Sequence, residues 1–267
     1  MNASGKTASS ESMILRRRQG AVETITMNRP AQYNSIPAAM IGEIKAALDD
    51  VAQEQSVRAV VIAGEGKAFC AGHDLKEMMS SRSYDFTREI FDRCCEMMMT
   101  IQQMPQPVIA RVHGMATAAG CQLVAMCDLA VAAESATFAT SGITLGLFCA
   151  TPGVAVARNL LRKNALEMLL TGEFVDARRA QAWGLVNRVV PDVELDAELA
   201  RLIDAIISKP REVIAFGKKV FYQQVEMPMA KAYDVAADAM ACNMMMEDAA
   251  EGVGAFIAKR KPQWKGR

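Results

Sequence analysis

Two glycine-containing turns hold the residues of this chain that could do chemistry. The first spans Ala68 to Met78 with the sequence AFCAGHDLKEM, and the second spans Ala118 to Asp128 with the sequence AAGCQLVAMCD. Each turn leads from an apolar strand pattern into a helix, whose first backbone N–H groups have no partner within the helix. The helix dipole favours negative charge at the same place. Two such N–H groups that converge on one point would stabilise an oxyanion.

Each turn on its own is also explained by packing, because glycine is common in tight turns and close contacts. As a pair, the turns resemble those of the crotonase (enoyl-CoA hydratase/isomerase) superfamily. The resemblance extends from Asn28-Arg29-Pro30 and Asn34 to the run FIAKRKP at 256–262. The runs at 138–140, 146–154 and 165–173 resemble one subgroup of this family, and the family resemblance does not determine the reaction of that subgroup.

The resemblance implies that the backbone amides of His73 and Ala119 form an oxyanion hole for a thioester enolate. Family members that hydrate 2-enoyl-CoA use two glutamates, and the matching positions here are Gln122 and Gly142. Because neither residue can exchange a proton near pH 7, two acid–base groups worth roughly 100- to 10,000-fold each are missing. We therefore predict weak 2-enoyl-CoA hydration. Restoring both glutamates is expected to raise it if the pocket geometry is otherwise kept, unless Gly142 needs a positive φ.

Besides a weak hydratase that uses water activated by other groups, two hypotheses remain for a protein with this altered site. Loss of carbon dioxide forms an enolate without a base, and the tetrapeptide 71–74 resembles the turn of methylmalonyl-CoA decarboxylases, so decarboxylase-like or other lyase chemistry is one hypothesis. The other is a non-catalytic acyl-CoA-binding or assembly protein, since a fold does not guarantee turnover. His73 is either a spacer that fills the acyl site or a polar group that titrates near neutrality. Asp74 is typical of a helix cap. Cys149 lies where the decarboxylases have a catalytic tyrosine, so it is either a polar or thiol group of the site or a buried structural thiol.

The resemblance also implies where the ligand lies. Coenzyme A, bound as part of the substrate, is expected along Ala31, Tyr33, Ala71, Asp74 and Leu75, with Lys259 of the basic tail at its phosphates. We expect no permanently bound cofactor and no metal. The expected partner is an acyl-CoA ligand.

Composition excludes several other classes of protein. The 30 basic and 30 acidic residues cancel, which argues against nucleic-acid binding, and no apolar run is long enough for a membrane span. The seven cysteines show no Cys-x-x-Cys spacing, so we interpret them as reduced thiols and predict a cytoplasmic location. Residues 1–12 are interpreted as a disordered leader.

Hydrophobic periodicity predicts an α/β fold. Strands are expected at 22–27, 59–63, 108–112, 129–132 and 137–139, and helices at 37–51 behind a Ser35 cap, 84–103 and 121–126. The resemblance implies a spiral of ββα units over 13–194. Residues 195–267 form a helical module, with helices expected at 195–208, 211–225, 229–246 and 248–259. In the family such a module packs subunits into trimers or hexamers. The methionine cluster at 240 and 244–246 fits a subunit surface or adaptable core filling equally well.

Overall fold

The protein contains two β-sheets. A computed structural model describes residues 12–265. All of the predicted leader except Ser12 lies outside the described residues. The strands are β1 (Ile14–Gln19), β2 (Val22–Met27), β3 (Ala59–Gly64), β4 (Ala68–Cys70), β5 (Val108–Val112), β6 (Met115–Thr117), β7 (Leu129–Ala133), β8 (Thr137–Ala139), β9 (Val175–Asp176) and β10 (Arg188–Val190). One sheet has the order β1-β2-β3-β5-β7-β10 and the other β4-β6-β8-β9. The pairs β1–β2 and β8–β9 are antiparallel and the other pairs are parallel.

Helices fill the connections between these strands. They are α1 (Ala38–Gln53), α2 (Leu75–Ser80), α3 (Tyr84–Gln103), α4 (Ala119–Met126), α5 (Ala150–Asn159), α6 (Arg162–Thr171), α7 (Ala177–Trp183), α8 (Leu195–Ile207), α9 (Arg211–Gln224), α10 (Met229–Met244) and α11 (Glu247–Ile257). The alternation of strands and helices confirms the predicted α/β class. Within residues 12–265, no helix is both long and apolar enough to cross a lipid bilayer.

The start of α1 differs from the prediction. The residue before the helix is Pro37, and no side chain caps the helix there. Ser35 instead accepts a hydrogen bond from the Arg29 guanidinium at 3.1 Å. The first N–H of the helix, on Ala38, is satisfied by the Glu77 carboxylate at 2.8 Å. A distant carboxylate therefore replaces the local cap, which a local sequence pattern could not indicate.

Strand pairing in the smaller sheet brings the two turns together. Strands β4, β6 and β8 are adjacent and parallel, so the segments that follow them leave the sheet at the same edge. The first turn follows Cys70, the second follows Thr117, and a third segment follows Ala139. Ligands commonly bind at the carboxyl ends of parallel strands. This edge of the small sheet is where the site is expected.

Helices alone follow β10, as the sequence predicts. Helix α8 packs against the larger sheet, where Leu195 and Leu199 join Val61 and Ile109 in one apolar cluster. Helices α9 to α11 bury few residues within the single chain and expose many large apolar side chains: Phe221, Val225, Met229, Tyr233, Met240, Met244, Met245, Val253, Phe256 and Ile257. The division into residues 13–194 and 195–267 stays a prediction.

Candidate active site

A cavity of about 250 Å³ opens at the shared edge of β4, β6 and β8. Its walls come from the two turns, from α2 and α3, and from the segment after β8. The lining residues are Ala71, His73, Leu75, Met78, Phe91, Ala118, Ala119, Ser141, Gly142, Leu145, Leu147, Phe148, Cys149, Ala150, Thr151 and Pro152. None of them is Asp, Glu, Lys or Arg. The cavity is therefore apolar, apart from a few uncharged polar groups.

The two glycine turns touch each other at Gly72, which has φ +91°. A Cβ atom on Gly72 would lie 2.9 Å from the Ala118 Cβ and 3.2 Å from the Ala119 nitrogen. Glycine is required here both by the backbone conformation and by the close approach. The predicted convergence of the two turns is present in the structure.

The backbone at Ala118 orients the second amide. Ala118 has φ 50° and ψ −119°, an uncommon conformation for a residue with a side chain that costs about 1–3 kcal/mol. Its own N–H donates to the Ala139 carbonyl at 3.0 Å, which fixes the peptide in place. Ala119 is the first residue of α4, so its N–H has no acceptor within the helix.

The first amide, that of His73, is oriented by a bridge to Ile36. The Ile36 N–H donates to the Gly72 carbonyl at 2.7 Å, and the Asp74 N–H donates to the Ile36 carbonyl at 3.3 Å. Because successive N–H groups of an extended backbone alternate in direction, the His73 N–H points away from Ile36. Within residues 12–265, the N–H groups of His73 and Ala119 meet no acceptor. Both donors remain available to a ligand.

A polar network holds the first turn in place. The Arg29 guanidinium donates to the Asp74 carboxylate at 3.1 Å, and the buried Asn34 amide donates to the Glu65 and Ala68 carbonyls at 2.8 Å each. The other carboxylate oxygen of Asp74 accepts the N–H of Glu77 at 3.3 Å, which confirms the predicted helix cap. Burial favours the neutral acid, but these hydrogen bonds outweigh it and hold the pKa of Asp74 below its usual value. Asp74 is therefore fully engaged and is not a free base.

The predicted ligand-binding residues are only partly gathered at the cavity. Ala71 and Leu75 line it. Ala31 and Tyr33 lie on the exposed segment beside Ala71, whose N–H donates to the Tyr33 carbonyl at 3.0 Å. Lys259 follows α11 and is not a lining residue. Next to it, Arg260 is bound to Glu251, the Trp264 indole donates to the Ser208 carbonyl at 2.9 Å, and the tail folds back along α11.

The two positions of the missing glutamates differ in their surroundings. Gly142 lines the cavity, whereas Gln122 is 4% exposed and is not a lining residue. The Gln122 Oε1 atom has no hydrogen-bond partner among the described residues. Within residues 12–265, no cluster of His, Cys, Asp and Glu could hold a metal ion. The polar side chains left on the wall belong to His73, Ser141, Cys149 and Thr151.

Two further residues, His113 and Cys149, fit structural roles. The His113 Nε2 atom lies 2.9 Å from the Gly66 carbonyl, as expected for a structural hydrogen bond. Burial raises the pKa of the Cys149 thiol, and the N–H of Gly142 opposes this only in part. Since the thiolate is the nucleophilic form, this shift makes the Cys149 thiol less reactive at neutral pH.

His73 is a titratable residue in an apolar environment. Its ring meets Phe91 edge-on at 5.2 Å, and neither ring nitrogen has a hydrogen-bond partner among the described residues. Burial lowers the pKa of the ring to about 4, and the Ile36 carbonyl opposes this without forming a well-aligned hydrogen bond. The imidazole is therefore neutral at physiological pH. It lines the cavity as a polar but uncharged ring.

Acidification is expected to destabilise the protein through His73. The pKa is about 4 in the folded protein and about 6.5 in the unfolded chain, so the unfolded state takes up the proton first as pH falls. The stability present above pH 6.5 is then lost towards pH 4, by about 3 kcal/mol in total. Urea unfolding of the wild type and His73→Phe at both pH values checks this. If both proteins lose the same stability, His73 is not the cause.

Comparison with known proteins places these features in a family. Residues 17–267 match the family model described as "Enoyl-CoA hydratase/isomerase". Mouse (Mus musculus) "Enoyl-CoA hydratase domain-containing protein 3, mitochondrial" is 43% identical over 93% of this chain and 83% of its own length. The Xenopus laevis protein of the same name is 41% identical over 99% of this chain and 90% of its own. The subgroup indicated by the sequence runs is thereby confirmed.

Solved structures give the same result. A crystal structure of enoyl-CoA hydratase from Mycobacterium smegmatis has a TM-score of 0.94 and 54% identity, covering 95% of this chain and 99% of its own. Human enoyl-CoA hydratase domain-containing protein 3 has a TM-score of 0.92 and 42% identity, covering 95% and 100%. The predicted crotonase fold is confirmed.

The predicted cellular location is wrong. The vertebrate relatives are named as mitochondrial proteins, which contradicts the predicted cytoplasmic location. The prediction depended on free cysteines, and these indicate only a reducing environment. Such a pattern could not distinguish the cytoplasm from another reducing compartment.

Proposed function

Because this chain belongs to the enoyl-CoA hydratase/isomerase family, we propose that it binds an acyl-CoA thioester in the cavity between the two turns. The N–H groups of His73 and Ala119 then receive the thioester oxygen as it gains the negative charge of an enolate. The observation that carries the proposal is that His73 and Ala119, whose N–H groups have no acceptor among the described residues, both line an apolar cavity. In such a site hydrogen bonds to a developing charge are strong, and one donor contributes about 3–4 kcal/mol to lowering the barrier.

The chemistry that follows cannot depend on a carboxylate pair. No acid lines the cavity, and the amide of Gln122 neither gives nor takes a proton near pH 7. Decarboxylation of a malonyl-type thioester suits these residues, because breaking the C–C bond leaves its electrons as the enolate and needs no base. A non-catalytic acyl-CoA-binding role is the second candidate. It is favoured by the neutral His73, which at neutral pH carries no extra proton to deliver.

Binding without fast hydration is the outcome that we expect. The purified protein is mixed with crotonyl-CoA, 3-hydroxybutyryl-CoA and malonyl-CoA, and the products are followed by mass together with the dissociation constants. All three thioesters should bind, and water addition to crotonyl-CoA should be slow. Hydration at the speed of a glutamate-bearing family member would overturn the proposal. Release of carbon dioxide from malonyl-CoA would favour a lyase over a binding protein.

The C-terminal helices are proposed to join subunits into a trimer or a dimer of trimers. The support is the row of exposed apolar side chains on α9 to α11, with Phe256 at 85% and Met245 at 81% exposure in the single chain. Large apolar side chains exposed together in this way are typical of protein–protein interaction sites. Light scattering at micromolar concentration tests this, and a monomer would refute it.

A coenzyme A contact of Lys259 depends on that assembly. Lys259 does not line the cavity of its own chain, so the contact would be with a neighbouring subunit's ligand. In that arrangement Lys259 meets the phosphates of coenzyme A, while Ala31 and Tyr33 lie along its nucleotide end.

A further inference from the structure

Two arginines line a second cavity, which is separate from the candidate active site. This cavity has a volume of about 100 Å³, and Arg58 and Arg211 both contribute to its wall. None of its lining residues is shared with the cavity between the two turns. It forms where the segments before β3 and β5 meet the end of α8 and the start of α9. Its wall therefore joins the larger sheet to the C-terminal helices.

The positive charge of this arginine pair is poorly neutralised by carboxylates. Arg58 is half-buried, and its guanidinium donates to the Lys209 carbonyl at 2.5 Å, with no carboxylate partner in the described part of the chain. Arg211 has one ion pair within residues 12–265, with the exposed Glu212 at 3.9 Å, which is too long for a hydrogen bond. Burial lowers the pKa of Arg58, and the charge of Arg211 lowers it further. The two guanidinium groups therefore repel each other.

Most hydrogen-bond donors of the pair are unused. A guanidinium has five N–H donors. Arg58 uses one of them on the Lys209 carbonyl, and the Arg211 side chain meets no acceptor among residues 12–265. Helix α9 begins at Arg211 and no side chain caps its start, so its first N–H groups and the positive end of the helix dipole lie beside the same cavity. An anion would satisfy the charge and the donors together.

We propose that this second cavity binds a phosphate group, either inorganic phosphate or the phosphate of a small phosphomonoester. Planar guanidinium groups match the oxygens of phosphate, and each arginine can supply two parallel donors. The volume of about 100 Å³ holds several water-sized groups and is below the roughly 300–1,000 Å³ of pockets for larger ligands. It therefore suits a phosphate group and not a whole nucleotide. This site is independent of the thioester chemistry proposed for the main cavity.

A bound phosphate would replace the repulsion between Arg58 and Arg211 by two attractions to one ion. Arg58 precedes β3 of the larger sheet, whereas Arg211 begins α9. The ion would therefore connect the sheet to the helices that follow it, and binding would stabilise the folded protein by mass action. Phosphate at ten times its dissociation constant is expected to raise the melting temperature by about 3–5 °C.

The test uses the full-length protein in a buffer of constant ionic strength. Calorimetry measures the dissociation constants of inorganic phosphate, glycerol 3-phosphate and acetate. Phosphate should bind at least about 10-fold more tightly than acetate, because it carries more charge and more acceptor oxygens. Binding of glycerol 3-phosphate as tight as that of phosphate identifies a phosphomonoester ligand, and weaker binding identifies the free ion. Equal affinities for acetate and phosphate, or no phosphate binding at millimolar concentration, would overturn the inference.

Variants separate binding from folding. Arg211→Gln should weaken phosphate binding at least about 10-fold, since one charged donor pair is lost. Without phosphate this variant should melt no lower than the wild type, because its repulsion of Arg58 is removed. Arg58→Lys keeps the charge but not the planar fork, so it should retain part of the affinity. An affinity unchanged in Arg211→Gln would refute the site.

Two control variants show where the ion binds. Arg17→Gln removes an exposed arginine of β1, and Lys259→Met removes the cation expected at the phosphates of coenzyme A. Neither residue lines the second cavity, so both variants should bind phosphate as the wild type does. Loss of phosphate binding in Lys259→Met would place the ion at the C-terminal tail and overturn the inference.

Discussion

Replacing Lys218 by methionine is expected to lower the free energy of unfolding by about 3–5 kcal/mol, the usual cost of leaving a buried charge without its partner. The Lys218 ammonium donates to the Ile101 and Gln106 carbonyls and to the Asp128 carboxylate, at 2.7, 2.8 and 2.7 Å. The side chains of Lys218 and Asp128 are only 7% and 13% exposed. Burial lowers the pKa of Lys218, and the charge of Asp128 opposes that shift. The ion pair between Lys218 and Asp128 also connects α9 to the spiral core.

Matched variants distinguish this ion pair from a general effect on α9. Lys219→Met removes the exposed neighbouring charge and should change stability by less than about 0.5 kcal/mol. Adding Asp128→Asn to Lys218→Met should recover part of the loss, because the unpaired carboxylate disappears. Urea unfolding followed by circular dichroism, at one fixed protein concentration, measures all four proteins. A similar loss for Lys218→Met and Lys219→Met would show that the buried pair is not what holds the helix.

The elements with clear periodicity were predictable from the sequence. Strand β2 alternates buried and half-buried side chains, and its bounds, Val22–Met27, are those predicted. Helix α3 has helical spacing after the Ser83 cap, and its bounds, Tyr84–Gln103, are also those predicted. Helix α4 is buried on all sides. It therefore has no polar face to mark its start, which lies at Ala119, before the predicted residue 121.

The site was predictable where it depends on backbone turns and not where it depends on strand register. The turns at Gly72 and Ala118 have local sequence signals, and they meet as predicted. The pairing of the Ser141 and Thr117 hydroxyls, 2.7 Å apart, arises from the alignment of β6 with β8, which no short pattern indicates. The one available signal was a hydroxyl residue at the end of one short strand and another two residues after the end of the next. The mutual orientation of Lys218 and Asp128 likewise depends on how α9 docks.

Adding both glutamates, by Gln122→Glu with Gly142→Glu, is expected not to produce a fast hydratase. Gly142 is not among the residues with positive φ, so backbone freedom is not the reason for its glycine. A Cβ atom there would lie 2.6 Å from the Leu147 carbonyl oxygen and 2.8 Å from the Cys149 sulfur. Since the first of these is a backbone atom, the loop that lines the cavity must move to admit any side chain. The new carboxylate at position 142 would then face a cavity whose lining loop has been displaced.

Stability measurements on smaller changes test that explanation before any assay of hydration. Gly142→Ala should lower the free energy of unfolding by about 1–3 kcal/mol, as overpacking does. Gly217→Ala is the control, because a Cβ there meets no atom within 4 Å and alanine favours the α9 helix, which predicts a gain of up to about 1 kcal/mol. Combining Gly142→Ala with Cys149→Ala should restore only part of the loss, since the Leu147 carbonyl remains. If Gly142→Ala is as stable as the wild type, the loop accommodates a side chain at little cost. The variant with both Gln122→Glu and Gly142→Glu should then hydrate crotonyl-CoA.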